Sequence, residues 1–322
     1  MIDPLVQWPD ETPNDPRIYV PNIEVYITNI CNIACNNCNR YNNYDFKGWQ
    51  NWSDYEAAYT AWSKKIRLQK ITILGGEPLM NPSIVDWIRG FNRLWNKRVQ
   101  LLTNGTRLNM VPGLYEAMVD YRAHGGNWIG VSIHNPLERD RYFEEIHKFL
   151  KGPVRMWQGK DALNDVGGSA TWGADYAFED VNGMHVHVWE YTEFYNANIH
   201  RNTRGNLTIH NNDPQAAHDV CGMAKYKNYH FIKAKIYKCG PVALMPEFDE
   251  QHNLDISSED RVLLNSYKPL SVDEFDQRGT KFLANIDNVI PQCKFCPTEF
   301  KNEQLFAVSK IKNATTVFKI TQ

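Results

Sequence analysis

Cys31, Cys35 and Cys38 stand in a C-x3-C-x2-C triplet, Cys31-Asn-Ile-Ala-Cys35-Asn-Asn-Cys38, at the end of an apolar run. That spacing sets three thiols on one tight loop, where they can hold three corners of an iron–sulfur cube. A four-iron cluster takes four ligands, so such a loop leaves one iron without a protein ligand. An iron with an open position can bind another molecule, which turns an electron carrier into a catalyst. Zinc is the competing reading, but it favours C-x2-C pairs and a fourth ligand, and no His follows at ligand spacing. Four further cysteines, Cys221, Cys239, Cys293 and Cys296, lie in the second half, the last two as C-x2-C. Four thiolates suit a fully ligated [4Fe–4S] cluster or a structural zinc. With these two groups all seven cysteines are used, and no thiol remains as a hydrogen donor.

Other residue types invite chemistry less specifically. His185 and His187 are two apart, hence on one face of a strand. They read as metal ligands or as packing and hydrogen-bonding groups. His218 precedes Cys221 by three, but the four-cysteine group does not need it. Trp157, His187, Glu190 and Tyr191 line a substrate pocket if their strands join the main sheet, and Glu190 or a His takes up a proton there. The abundant Trp and Tyr serve equally well as core packing.

These residues need elements to position them. Asn22–Thr28 alternates and is rich in β-formers, so it reads as a strand running into the cysteine loop. Ser53 followed by Glu56 reads as a capping box for a helix to about Ile66. Lys70–Leu74 is a strand that ends on Gly75-Gly76-Glu77-Pro78, and Asn81-Pro82 opens a helix to about Trp95. Val99–Thr103 is a strand ending on Asn104-Gly105. A helix at 114–124, a strand at 128–133, a helix at 138–150 and a strand at 154–157 follow. This alternation predicts a parallel sheet with helices outside. Ligands then gather at the carboxyl ends of the strands. The triplet, the Gly-Gly-Glu-Pro turn, Asn104 and the Ser132–His134 region all lie at such ends. Beyond about residue 160 the rhythm breaks. Strands are expected at 184–191 and, once or twice, over 229–237, with a helix over 271–285.

Composition sets outer bounds. The 322 residues suffice for one large domain with a smaller one appended, and the apolar fraction of 43% is ordinary for a globular chain. A net charge of −2 without a long basic run gives no argument for nucleic acid. No stretch approaches the roughly 18 apolar residues of a membrane helix. The N-terminus lacks the pattern of a secretory signal, and an odd number of cysteines speaks against a disulfide framework, so a cytoplasmic location is expected.

The two motifs together resemble the radical SAM superfamily. Its signature is C-x3-C-x2-C after a first strand, with Thr28-Asn29-Ile30 leading in here, and its next motif is Gly-Gly-Glu-Pro after the second strand. The resemblance covers about residues 20–200. It implies a partial (β/α)6, TIM-barrel-like parallel barrel holding a [4Fe–4S] cluster on Cys31, Cys35 and Cys38. Gly75, Gly76, Glu77 and Pro78 would bind the amino group of S-adenosylmethionine (SAM), with Asn104 and Ser132 completing the cofactor contacts. It also implies chemistry: reductive SAM cleavage yields a 5′-deoxyadenosyl radical that removes a hydrogen atom from a substrate C–H. The chain departs from the family in carrying Asn37 before the third Cys, where an aromatic is frequent. Arg40 and Tyr41 follow and would supply packing instead.

In layout the four later cysteines resemble the Twitch domain, a shortened SPASM domain carrying one auxiliary [4Fe–4S] cluster. The cysteine plan is similar to that of 2-deoxy-scyllo-inosamine dehydrogenase. The expected division is an irregular lead-in at 1–21, a radical SAM core at 22–210, an auxiliary-cluster domain with a β-hairpin and helix at 211–300, and a tail at 301–322. The function so implied is two-electron oxidation of a small polar metabolite. The auxiliary cluster would accept an electron, and flavodoxin or ferredoxin would donate one. The alternatives are a peptide-crosslinking enzyme, for which only about thirty residues precede the triplet, and a non-catalytic cysteine–metal protein.

Overall fold

The computed structural model describes residues 14–35, 37–159, 174–190, 193–194, 198–225, 228–299, 303–304 and 310–311. It is a mixed α/β fold built on one nine-stranded sheet. The strands are β1 (Ile18–Tyr26), β2 (Ile66–Leu74), β3 (Val99–Thr103), β4 (Trp128–Ile133), β5 (Val154–Gln158), β6 (Tyr176–Asp180) and β7 (His185–Glu190). A separate two-stranded pair, β8 (Ile199–Arg201) and β9 (Leu207–Ile209), follows. The hairpin β10 (Tyr229–Ile232) and β11 (Lys235–Tyr237) completes the sheet, whose order is β11-β10-β1-β2-β3-β4-β7-β6-β5. From β10 to β7 neighbouring strands are parallel, and both edges are antiparallel.

Period-2 alternation gives the sheet two different faces. Ile23, Val25, Ile71, Ile73, Val99, Leu101, Ile129, Val131, Val186 and Val188 point one way, into the main core. Helices α1 (Trp52–Ser63), α2 (Ile84–Trp95), α3 (Leu114–Val119) and α4 (Arg139–Phe149) cover that side. Aromatic rings fill the seam: Trp52 meets Trp87 edge-on at 5.2 Å, and Tyr59 meets Phe91 at 5.1 Å. Each fully buried side chain of this size contributes roughly 1.5–3 kcal/mol by leaving water. The opposite face carries polar and aromatic groups in rows that run straight across the strands. One row is His230, Glu24, Thr72, Gln100, Trp128 and His185; another includes Gly130, His187, Ala177 and Trp157.

Several elements differ from the sequence expectation. β1 begins at Ile18, inside the stretch expected to be an irregular lead-in. Helix α1 begins at Trp52 with Asn51 as its cap, so Ser53 lies within the helix. Asn81 does not cap α2. Its Nδ2 instead donates to the Ile27 and Gln50 carbonyls at 2.9 and 2.8 Å, bracing the exit of β1. The strand at 154–158 is an outer edge paired antiparallel to β6, while β7 takes the place beside β4; β6 and β7 form a hairpin because only four residues separate them. A parallel return needs a crossover of a dozen or more residues.

The largest difference is the hairpin 229–237, expected in an appended domain. β10 pairs in parallel with β1 from Ile23 to Tyr26. Its Phe231 packs edge-on against Tyr59 and Trp62 of α1 at 5.2 and 5.5 Å. The sheet therefore takes its sixth parallel strand from beyond residue 211. The helix expected over 271–285 is a 3-10 turn (Val272–Glu274), a π segment (Phe275–Gly279) and an α turn (Thr280–Ala284) in series. The remaining helices near the later cysteines are α5 (Pro214–Asp219), α6 (Gly240–His252) and α7 (Ser258–Asn265), with a single helical turn, Gly222–Lys225, directly after Cys221.

Candidate active site

The carboxyl end of β1 and the turn after β2 are hydrogen-bonded to each other. Gly76 N donates to the Thr28 carbonyl at 2.7 Å, and Glu77 N donates to the Ile30 carbonyl at 2.8 Å. The glycines are required by this approach. A Cβ on Gly76 would stand 2.4 Å from the Ile30 carbonyl oxygen and 2.5 Å from Asn42 Oδ1, and one on Gly75 would stand 2.7 Å from the Thr28 carbonyl oxygen. Neither gap admits a methyl group, so glycine is the side chain that lets the turn lie against the cysteine loop.

Glu77 is fully buried. Its Oε1 accepts from Leu79 N at 3.0 Å and Thr103 Oγ1 at 2.6 Å, and its Oε2 accepts from Asn104 N at 2.7 Å. Burial pushes its pKa up, and these three donors work against that rise. The carboxylate thus clips the turn after β2 to the end of β3. Pro78 is buried behind it as the first residue of a short 3-10 turn, Pro78–Met80.

Asn104 reaches back to the cysteine loop. Its Nδ2 donates to Asn32 Oδ1 at 2.8 Å and lies 3.8 Å from Cys31 Sγ. Cys31 and Cys38 pack around the buried Ile33 and Cys35. Asn42 Nδ2 lies 3.8 Å from Cys38 Sγ. Burial and the nearby Glu77 push the Cys31 thiol well up. Three thiols on one short loop, two of them faced by amide N–H groups, form a donor set that fits iron–sulfur ligation. Among the described residues no group of three or more His, Cys, Asp or Glu converges on a single ion position. A lone zinc needs its thiolates about 2.3 Å from one point, whereas in a cube each thiolate binds its own iron.

The later cysteines form a second group. Cys239 caps α6 at its N-terminus, Cys293 lies within the 3-10 turn Pro291–Phe295, and Cys296 follows it directly. Burial, with Cys221 and Cys293 close by, pushes the Cys239 thiol up to about 12. Cys296 is raised by burial and then by Cys239, Cys221 and Cys293. Asn198 Nδ2 donates to Cys296 Sγ at 3.0 Å. His218 stays out of the group: its Nε2 meets the Asp287 carbonyl at 2.6 Å.

On the polar face, Ser132 is in register with Trp189, and Gly130 with His187. His187 is buried between Trp128 at 4.8 Å and Trp189 at 6.0 Å, and neither ring nitrogen has a hydrogen-bond partner. Burial lowers its pKa to about 4, so the ring is neutral. Trp157 shares this face two strands out, under Arg155. Glu190 does not join them. It is in register with Ile133 on the helix-covered face, where Arg139 of α4 grips both its oxygens. Its carboxylate is therefore spent on an ion pair and is not presented as a base. Tyr191 lies outside the described residues. The sequence reading missed Asn32, Asn42, Asn104's link to Cys31 and Trp128; the density of Asn around the triplet was the available signal.

Residues 25–169 match the family model described as the Radical SAM superfamily. No curated protein matches the chain. Among solved structures, Streptococcus suis SuiB bound to S-adenosylmethionine is similar at 17% identity and a TM-score of 0.31, over 39% of this chain and 28% of that one. The chain thus spans little more than a quarter of that structure's length. No described helix is long and apolar enough to cross a membrane. The cysteine loop, the Gly75–Pro78 turn and strands β2 to β4 all lie within the stretch that matches the radical SAM model, a likeness that implies a [4Fe–4S] cluster and SAM.

Proposed function

We propose that the protein is a radical SAM oxidoreductase acting on a small polar metabolite, with Cys31, Cys35 and Cys38 holding the SAM-binding cluster. The observation that carries this reading is the clasp of the Gly75–Glu77 turn onto Thr28 and Ile30, which sets the SAM motif directly against the cysteine loop. When bound, the cofactor pair supplies a 5′-deoxyadenosyl radical able to take a hydrogen atom from an unactivated C–H. The chain's part is orientation. Glu77 holds the turn and β3 in one position, and Asn104 and Asn42 face the sulfurs of Cys31 and Cys38. Gly75, Gly76 and Pro78 shape the surface that meets the SAM amino group, with Ser132 on the neighbouring strand end.

The substrate is proposed to lie along the polar face by Trp128, His187 and Trp189. A buried neutral imidazole with both nitrogens unpartnered suits one donor and one acceptor on an uncharged polar molecule. Trp157 would extend that wall. Cys221, Cys239, Cys293 and Cys296 are proposed to hold an auxiliary [4Fe–4S] cluster that takes the second electron. A one-electron protein donor such as flavodoxin or ferredoxin would serve the first.

Anaerobic reconstitution tests this. Two cubane clusters bring about eight irons per chain, and dithionite then yields 5′-deoxyadenosine from SAM. Cys35→Ala is expected to abolish that cleavage, and Cys293→Ala to retain it while losing net oxidation. Cleavage that persists in Cys35→Ala would overturn the reading.

A further inference from the structure

Arg40 and Tyr41, which follow the triplet, lie between the two cysteine groups. Tyr41 N donates to the Cys38 carbonyl at 3.0 Å, tying the segment to the third ligand of the loop. Arg40 reaches the other way. A Cβ on Gly240 would stand 2.2 Å from Arg40 Nη1, so the guanidinium lies against the first residue of α6, next to Cys239. Its Nη2 donates to Glu24 Oε2 at 2.7 Å, and its Cζ sits 5.7 Å from the centre of the Tyr26 ring. Glu24 also meets His230 Nδ1 at 3.3 Å and accepts from Asn228 Nδ2 at 2.6 Å. The Tyr41 ring is fully buried in a cluster with Tyr26, Phe248 and Phe295, the residue before Cys296. Its hydroxyl has no hydrogen-bond partner.

We infer that Arg40 is a positioning residue that joins the two cysteine sites and, through its charge beside Cys239, raises the reduction potential of the auxiliary cluster, with Glu24 setting how much of that charge is felt. The inference rests on the proposed auxiliary cluster. Reduction adds one negative charge to a cluster, so a fixed cation nearby favours the reduced form and a nearby anion disfavours it. A guanidinium is charged at every working pH, and here Glu24 holds one edge of it while the other lies against the Cα of Gly240, beside Cys239. Its side chain is mostly buried, where screening by water is weak. The electron thus finds a more favourable acceptor on the side of the loop away from the triplet.

The test is an EPR-monitored redox titration of the reconstituted full chain, with iron counted in each variant. Arg40→Met keeps the apolar stem and removes the charge, and is expected to move the auxiliary midpoint to more negative potential. Glu24→Gln removes the opposing charge and is expected to move it to more positive potential. Arg40→Lys should retain most of the wild-type value. A purely structural role would lower iron content or broaden the spectra in both charge variants without shifts of opposite sign. Unchanged midpoints in fully loaded variants would overturn the inference alone. About four irons in the wild-type chain would overturn it together with the auxiliary-cluster reading, since one cubane accounts for four.

Discussion

Glu77 concentrates the energetics of the site in one carboxylate. It accepts three hydrogen bonds in a fully buried position, and hydrogen bonds to a charged group are worth roughly 1.5–3 kcal/mol each. Glu77→Ala leaves Leu79 N, Thr103 Oγ1 and Asn104 N without that acceptor. It is expected to cost about 3 kcal/mol or more of stability, read from denaturant midpoints, and to abolish SAM binding. Gly76→Ala forces a methyl into the Ile30 carbonyl. Its expected cost is about 1–3 kcal/mol, with loss of iron at the triplet while far-UV circular dichroism stays near wild type. His187 gives a pH signature. Its folded pKa of about 4 lies below the ordinary 6.5, so the unfolded chain binds the proton more readily. Stability is then intact above about pH 6.5 and falls as the pH drops toward 4. His230, fully buried with a pKa of about 4, acts in the same window. Replacing His187 by Gln should flatten the fall between pH 7 and 5, by on the order of 1–2 kcal/mol across that range. An unaltered slope would count against a neutral, unpartnered ring.

At the scale of elements, β10 decides where one part of the chain ends and another begins. It supplies a parallel neighbour for β1 and sends Phe231 into the main core between Tyr59 and Trp62. Phe231→Ala should destabilise the whole sheet by about 3–5 kcal/mol. A chain ending at residue 210 would expose the β1 edge and that aromatic seam, and is expected to be insoluble or unfolded. A truncated chain that folds cooperatively would contradict this. The strands at 70–74, 99–103 and 128–133 were legible because each is a short apolar run ending on a Gly- or Asn-containing turn, although the first begins four residues earlier, at Ile66. The edge position of β5 was not, because 154–157 has the same local pattern whichever direction its neighbour runs. The broken helix at 272–284 escaped for a similar reason: Ser271 and Glu274 mark its start, but no residue type announces a π segment.

Across the whole molecule, one buried cluster brings Tyr41, three residues after Cys38, together with Phe248 of α6 and Phe295, the residue before Cys296. Iron bound only by the folded chain stabilises it by mass action. Chelation under reducing conditions is therefore expected to lower the denaturant midpoint of the main sheet as well as of the later segments, as a single transition. Two separated transitions would show that the halves fold independently. The sequence by itself determined the chemistry-bearing residue types, since thiol spacing and the Gly-Gly-Glu-Pro turn are local properties of a few consecutive residues. It likewise determined the alternation that puts an apolar face against helices. Only the tertiary structure decided that Glu190 is held by Arg139, that Glu77 is a brace between two strand ends, and that Arg40 leans on Gly240. These depend on which strand lies beside which and which face each side chain takes. That pairing is settled by burial summed over residues far apart in the chain, and no local pattern records it.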